Sequence, residues 1–131
     1  MRIATPVNVA IFVIGLLLLG MLLPGIIGKT DFAKTKATKS QIDRLIMSIE
    51  SYRLDVGTQP LSLDALVSNI GQFDDWNGPY IKTSLLNDPW GNPYIYESSD
   101  AVFRVMSYGA DNKPGGENRD ADVAVKTDVD E

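Results

Sequence analysis

Three aspartates near the C-terminus could do chemistry together. Asp111, Asp120 and Asp122 lie in a segment, residues 107–123, that is rich in glycine, asparagine and aspartate. Such a segment is flexible by itself, and its carboxylates would repel one another unless a cation gathered them. The chain has no cysteine and no histidine, so it lacks thiolate ligands and the imidazole ligands that zinc prefers. The chemistry that the sequence offers here is a set of oxygen ligands for a hard cation.

Other interpretations of this acidic loop are weaker or less specific. The acids could simply solubilise a surface loop. An EF-hand that starts at Asp111 would have Gly116 in sixth and Asp122 in twelfth place, but Lys113 would occupy the third, where a ligand is needed. A metal-assisted hydrolase would need a base or a nucleophile, and no histidine, thiol or activated-serine arrangement accompanies the carboxylates. We therefore expect a protein that is not an enzyme.

The negative charge of the chain is concentrated at its C-terminal end. The formal net charge is -5, from 12 basic and 17 acidic residues. Seven of the acids and only three of the bases lie in residues 111–131. A surface of this kind repels phosphate backbones, so we expect no nucleic-acid partner.

The elements that must position this loop begin with an apolar segment. No charged residue lies between Ile3 and Gly28, which is long enough to cross a hydrocarbon core of roughly 30 Å at about 1.5 Å per residue. We expect residues 1–28 to form the transmembrane half of an N-terminal helix. A count of the lysines that follow would place the next domain in the cytoplasm by the positive-inside rule.

A second pattern predicts that the helix continues beyond the membrane. Apolar residues recur at steps of three and four, as on one face of a helix, at Ile42, Leu45, Ile46, Ile49, Tyr52 and Val56. We expect this helix over residues 29–55, ended by Gly57. A short second helix is predicted over residues 62–69, with Ser62 as its cap and Ile70 on its inner side.

Strand composition follows in the C-terminal half. Residues 94–97 and 102–106 predict an antiparallel hairpin joined through residues 98–100. A lone hairpin is marginal in water, so we expect about three strands. Residues 124–131 are predicted to form a disordered acidic tail.

Two aromatic turn segments are predicted to be architectural. In residues 74–80, Trp76 and Tyr80 are expected to fill part of the core. In the block Asp88-Pro89-Trp90-Gly91-Asn92-Pro93, the prolines fix the backbone and Trp90 is expected to bury its ring against the sheet.

The order of these segments closely resembles the major pseudopilin family of bacterial type II secretion systems. The most specific matches are residues 88–94, Asp-Pro-Trp-Gly-Asn-Pro-Tyr, and the loop that begins Gly109-Ala110-Asp111. The resemblance implies an α+β, type IV pilin-like fold, in which a long N-terminal helix packs on a small antiparallel sheet followed by a calcium-binding loop. It also implies a single-pass inner-membrane protein with its globular domain, residues 29–123, in the periplasm. This location is opposite to the one that the count of lysines gives.

The same resemblance implies partners and a metal. Subunits of this family stack into a helical, homo-oligomeric pseudopilus, with minor pseudopilins and inner-membrane platform proteins as partners. A structural calcium ion is expected in residues 108–123. Side-chain ligation carries over most directly to Asp111 and Asp122, and the remaining implied ligands are Asp120, Asn118 and the backbone carbonyls of Tyr108 and Val123.

The N-terminus departs from the family pattern. Relatives carry a basic leader that ends in glycine, and a glutamate a few positions into the mature chain. Arg2 stands where the glycine is expected, and Val7 or Asn8 stands in the place of the glutamate. Processing by a prepilin peptidase is therefore not expected. An alternative function follows, a membrane-tethered, pilin-like accessory protein that does not assemble.

Overall fold

Residues 6–99 and 102–127 are described by a computed structural model, with side chains from residue 30 onward. The chain begins with helix α1, Pro6–Val56, and ends with three strands, β1 (Ile95–Ser99), β2 (Val102–Ser107) and β3 (Val123–Thr127). Three short 3-10 turns lie between these elements, at Leu63–Leu66, Thr83–Leu86 and Asn118–Asp120. Residues from Lys34 onward form one compact unit, and residues up to Ala33 form another.

Helix α1 contributes one apolar face to the core of the unit that starts at Lys34. Ile42, Leu45, Ile49 and Tyr52 are buried, and Ile46 and Val56 pack against them, which confirms the predicted apolar face. The helix ends where expected. Gly57 adopts a φ of 82°, and its N–H donates to the carbonyl of Arg53 at 2.9 Å, so a residue without a side chain closes the last turn.

The membrane prediction falls on another part of the chain. The backbone of α1 is helical from Pro6, but the predicted transmembrane residues 1–28 lie outside the residues whose side chains are described. Among the described residues, no helix is both long enough and apolar enough to cross a membrane.

The sheet is antiparallel with the order β1-β2-β3, so β2 is central. Phe103 and Val105 of β2 are fully buried against α1 and the preceding turns. The predicted hairpin is confirmed, although β1 extends through Ser98 and Ser99, which pair with Phe103 and Val102 instead of forming the connection.

The third strand corrects the prediction of a disordered tail over residues 124–131. Residues 123–127 pair with β2, and residues 128–131 lie outside the described chain. Val123 is buried and Val125 packs on the core, whereas Ala124 and Lys126 are exposed. This alternation is that of a strand with one buried face. The amino-acid composition of residues 124–131 shows only that they are acidic. It does not reveal the alternation of buried and exposed residues that identifies a strand.

The predicted helix over residues 62–69 is also corrected. It is a single 3-10 turn, Leu63–Leu66, without a side-chain cap from Ser62, and Ile70 is exposed. The reason lies in the carbonyl of Ala65, which an α-helix would offer to the N–H four residues later. That carbonyl instead accepts the indole N–H of Trp76 at 2.9 Å.

The aromatic turn over residues 74–80 closes this side of the core, as predicted. Tyr80 lies edge-on to both Tyr52 and Trp76, with ring centroids 5.7 Å apart in each pair. Trp90, by contrast, is half-buried and is not part of the described core. The ring of Trp90 is therefore less covered than expected, although its indole Nε1 is buried, and Trp76 packs on the core as predicted.

Candidate functional site

The predicted cation loop connects the two antiparallel strands β2 and β3. Ser107 at the end of β2 is paired with Val123 at the start of β3, so strand pairing holds both ends of residues 108–122 side by side. Tyr108 is half-buried beside this pairing, and Val123 belongs to the sheet rather than to the loop. The backbone carbonyls predicted as ligands therefore lie at the base of the loop.

A backbone contact closes the loop near its base. The N–H of Ala110 donates to the carbonyl of Arg119 at 2.9 Å. Gly109 adopts a φ of 74°, and a Cβ at this position would lie 2.8 Å from the carbonyl oxygen of Arg119. Only glycine permits so close an approach of the two backbones. Residues next to this contact, Asp111 on one side and Asp120 on the other, are thereby held at the same end of the loop.

The predicted carboxylates accept hydrogen bonds from the loop itself. Asp111 Oδ1 accepts the N–H of Lys113 at 3.1 Å, and Asp122 Oδ2 accepts the N–H of Gly115 at 3.0 Å. Asp120 Oδ1 lies 3.7 Å from Nε of Arg119. Asp111 and Asp122 are thus each oriented through one oxygen by the backbone of the loop, whereas Asp120 lies only within ion-pair distance of its neighbour Arg119.

The side chains as placed do not form a finished metal centre. Within residues 30–99 and 102–127, no three acidic residues lie close enough together to hold a metal ion. Asp111, Asn118 and Asp122 are exposed, and Asp120 is half-buried. The donor types still suit calcium, which takes carboxylate, amide and carbonyl oxygens in a flexible shell. The calcium site stays a prediction, and it rests on the donor set and on the closure of the loop.

A buried polar network behind the loop was not anticipated from the sequence. Asp88 is 5% exposed and Ser107 is fully buried, and the Ser107 hydroxyl donates to Asp88 Oδ2 at 2.6 Å. Asp88 Oδ1 accepts the N–H groups of Trp90 and Asn92 at 3.0 and 2.9 Å. Both oxygens of the buried carboxyl group therefore accept hydrogen bonds from protein donors.

This network, which we call the Asp88 network, continues into the cation loop. Ser107 Oγ accepts the N–H of Gly109 at 3.1 Å, and the amide of Asn92 donates to the carbonyl of Gly109 at 3.0 Å. The N–H of Gly109 is thus fixed by Ser107 of β2, and its carbonyl is fixed by Asn92 of the turn that follows Asp88. The conformation of the loop at its first residues depends on a side chain some twenty positions earlier in the chain.

Tyr94 connects the same region to helix α1. Its hydroxyl donates to Gln41 Oε1 at 2.7 Å. Burial, with a smaller contribution from the charge of Asp88, raises the pKa of the Tyr94 phenol far above its ordinary value. The phenol is therefore protonated at neutral pH and donates the hydrogen bond to Gln41.

Comparison with known proteins identifies relatives along nearly the whole described chain. The family model of type II secretion system protein G matches residues 25–126. Core protein G of the type II secretion system from Xanthomonas campestris is 40% identical over 100 residues, which are 75% of this chain and 70% of the relative. The corresponding protein of Pseudomonas aeruginosa is 32% identical over 125 residues, 89% of this chain and 87% of the relative.

A solved structure supports the same relationship. The crystal structure of the major pseudopilin from the type 2 secretion system of enterohaemorrhagic Escherichia coli is similar to this fold, with a TM-score of 0.55 and 27% sequence identity. The similarity covers 77% of this chain and 93% of that one. A pilin-like fold, with a long N-terminal helix and a small antiparallel sheet of three strands, is thereby confirmed.

Proposed function

This chain belongs to the protein G family of the type II secretion system, the pseudopilins, and from that premise we propose that it assembles through its apolar N-terminal helix into a pseudopilus that calcium stabilises. Members of the family are structural subunits and not enzymes. The chain therefore serves protein export by packing against copies of itself, and its carboxylates have no catalytic task.

The apolar segment supports the membrane part of this proposal. Residues 3–28 carry no charge, and a segment of that length and composition is stable across a bilayer. We propose a single pass through the inner membrane, with the unit that begins at Lys34 in the periplasm. Inner-membrane platform proteins and minor pseudopilins are then its neighbours before and during assembly.

The closed loop carries the calcium part of the proposal. Asp111, Asp120 and Asp122, with the amide oxygen of Asn118 and the carbonyls of Tyr108 and Val123, would hold the ion. Calcium would supply positive charge to a loop whose acids otherwise repel one another. The chain's own contribution is to fix the two ends of the loop, through the Ser107–Val123 pairing and the Ala110–Arg119 hydrogen bond.

We expect calcium to stabilise the folded chain measurably. A ligand present at 100 times its dissociation constant adds about 2.7 kcal/mol to the free energy of unfolding. Isothermal calorimetry and thermal melts of the purified full-length chain measure this gain. Asp111→Asn and Asp122→Asn should each abolish most of it. Glu117→Gln removes the same charge from an exposed loop residue outside the predicted ligand set, and should retain it.

The absence of any calcium-dependent heat in the unsubstituted chain would contradict the calcium proposal. Loss of the gain in Glu117→Gln as well would show that only the net charge of the loop matters, and would also count against a specific site.

Electron microscopy tests the assembly part separately. When the chain is co-expressed with the other components of a secretion apparatus, we expect short filaments that contain it. Uniformly membrane-bound monomer would instead favour the alternative of a tethered, non-assembling protein.

A further inference from the structure

An exposed apolar cap surrounds a cavity beyond the C-terminal end of α1. Three large apolar side chains, Leu61, Ile70 and Phe73, line a cavity of about 360 Å³ together with Tyr52 of the helix. All three are exposed, and Leu61 reaches 97%. We call these three residues the apolar cap. A single exposed leucine needs no explanation, but several around one cavity are typical of an interaction surface.

An unpartnered amide lies within the same cavity. Both side-chain polar atoms of Gln59 are buried, and neither makes a hydrogen bond to any described residue. Buried amides are nearly always hydrogen-bonded, because an unmade hydrogen bond is costly. An occupant of this cavity with both a donor and an acceptor as well as an apolar portion would satisfy the amide and cover the apolar cap.

The apolar cap has an acidic rim. Asp55, Asp64, Asp74 and Asp75 are exposed, and no lysine or arginine occurs in residues 54–81. Asp74 and Asp75 directly follow Phe73, and Asp64 lies next to Ala65, a residue of the cavity wall. Asp55 accepts the hydroxyl of Tyr80, whose ring packs on Tyr52. The rim thus presents four negative charges, and it selects for a positively charged occupant.

Helix α1 of the same chain carries a surface of the opposite charge. Lys36, Ser40 and Arg44 are exposed on the side away from buried Ile42, and Lys39, which is also exposed, flanks the buried face. Asp43 is the one acid among them, and the described ion pairs include none of the three bases. We call residues 36–44 the basic segment. Lysine and arginine stems are apolar while their ends are charged, and the Ser40 hydroxyl can both donate to and accept from an amide.

We propose that the apolar cap of one copy binds the basic segment of a second copy. The inference rests on the proposed assembly into a pseudopilus and specifies one of its contacts. The stems of Lys36 and Lys39 cover Leu61 and Phe73, their ammonium groups approach the acidic rim, and Ser40 offers hydrogen bonds to Gln59.

The contact joins two different surfaces, so it does not form a two-fold symmetric dimer. When the rotation between successive copies does not close into a ring, such a contact generates an open helical array, which is the form of the proposed pseudopilus. The cap lies at the level of Asp55, which is 11 to 19 residues beyond the basic segment on α1. At a rise of about 1.5 Å per residue, two parallel copies in this contact are offset along the helix by roughly 16–29 Å.

Engineered cysteines test the contact directly, because the natural chain contains none. The full-length double variant Leu61→Cys with Lys39→Cys is expressed with the secretion apparatus and oxidised. Within one copy these positions are separated by about 20 Å, since Tyr52 beside the cap is 13 residues from Lys39 at about 1.5 Å each. A disulfide requires the two Cα atoms to be within about 7 Å. Cross-links must therefore join different copies, and an open array produces a ladder of oligomers.

Control variants test whether the cross-link depends on the basic segment and on the charges of the acidic rim. Leu61→Cys with Lys82→Cys moves the second cysteine to an exposed lysine outside the basic segment, and should yield about tenfold less cross-linked product. Adding Asp64→Lys to the first pair should also lower the yield about tenfold through like-charge repulsion. A further Arg44→Asp in that variant should restore it.

Each other outcome is decisive. Filaments without the cross-link between positions 61 and 39 would overturn this contact and leave the proposed function intact. The absence of filaments would overturn the proposed assembly and this contact with it. A cross-link from position 61 to a different protein would assign the apolar cap to that partner, and would overturn the proposal.

Discussion

The Asp88→Ala variant should lose about 3–5 kcal/mol of unfolding free energy, because three donors, one of them fully buried, lose their acceptor at once. The N–H groups of Trp90 and Asn92 and the hydroxyl of Ser107 all donate to this carboxyl group. Each hydrogen bond to a charged group contributes about 1.5–3 kcal/mol, and a buried donor without a partner carries a desolvation penalty. The total free energy of unfolding of a small domain is only about 5–15 kcal/mol. The denaturant concentration at the midpoint of unfolding should therefore fall greatly.

Graded variants separate the network from a simple loss of charge. Asp88→Asn keeps an oxygen for Trp90 and Asn92 and should lose much less, whereas Ser107→Ala removes one donor and the acceptor of the Gly109 N–H. Asp43→Ala removes an exposed acid and should change stability by less than about 0.5 kcal/mol. If Asp88→Ala melted like Asp43→Ala, the Asp88 network would have no structural role.

The Asp88 network also predicts an effect on the cation loop. Because Ser107 and Asn92 hold both polar backbone groups of Gly109, Ser107→Ala should weaken calcium binding although it removes no predicted ligand.

A second large loss is expected from Phe103→Ala. The Phe103 ring is 1% exposed at the centre of the sheet, and it packs against Tyr96 with ring centroids 6.2 Å apart. Truncation of a buried phenylalanine removes its apolar contacts and leaves a cavity, at a cost of about 3–5 kcal/mol. Unfolding in denaturant, followed by the tryptophan fluorescence of the natural chain, measures the change.

The same substitution at an exposed phenylalanine is the matched control. Phe32 is 74% exposed, and Phe32→Ala should alter stability by less than about 0.5 kcal/mol. An equal and small effect at both positions would contradict the assignment of Phe103 to the core.

The repeating apolar pattern of the sequence predicted most of the fold. The apolar steps from Ile42 to Tyr52 define one helical face, and Gly57 marks the end of that helix, because both signals are local and repeat over several turns. The short elements were less predictable. Whether residues 62–69 continue as a helix depends on Trp76, which takes the carbonyl of Ala65 from eleven positions away. No local sequence pattern reveals that the Trp76 N–H takes this carbonyl from the helix.

The types of the ligand residues could be predicted from the sequence, but the Asp88 network that holds the loop could not. The aspartates of residues 111–122 are visible as a cluster in the sequence, but the pairing of Asp88 with Ser107 joins residues nineteen positions apart. The cue was present in the alternation of β2, which puts Ser107 on the same face as buried Phe103 and Val105, at the end of a central strand. A buried hydroxyl there needs a partner, and the sequence does not say which one.

The pairing of Ser107 with Val123 has an evolutionary consequence. Since the sheet and the Ala110–Arg119 hydrogen bond fix the two ends of the connection, changes in the length of its exposed part, residues 112–117, alter mainly the entropy of a closed loop. That entropy grows slowly, by about 0.6 kcal/mol for each doubling of length. Insertions, deletions and new side chains in this connection can therefore accumulate without disturbing β2 or β3. A change in this connection can thus alter what this edge of the domain binds while the strands stay the same.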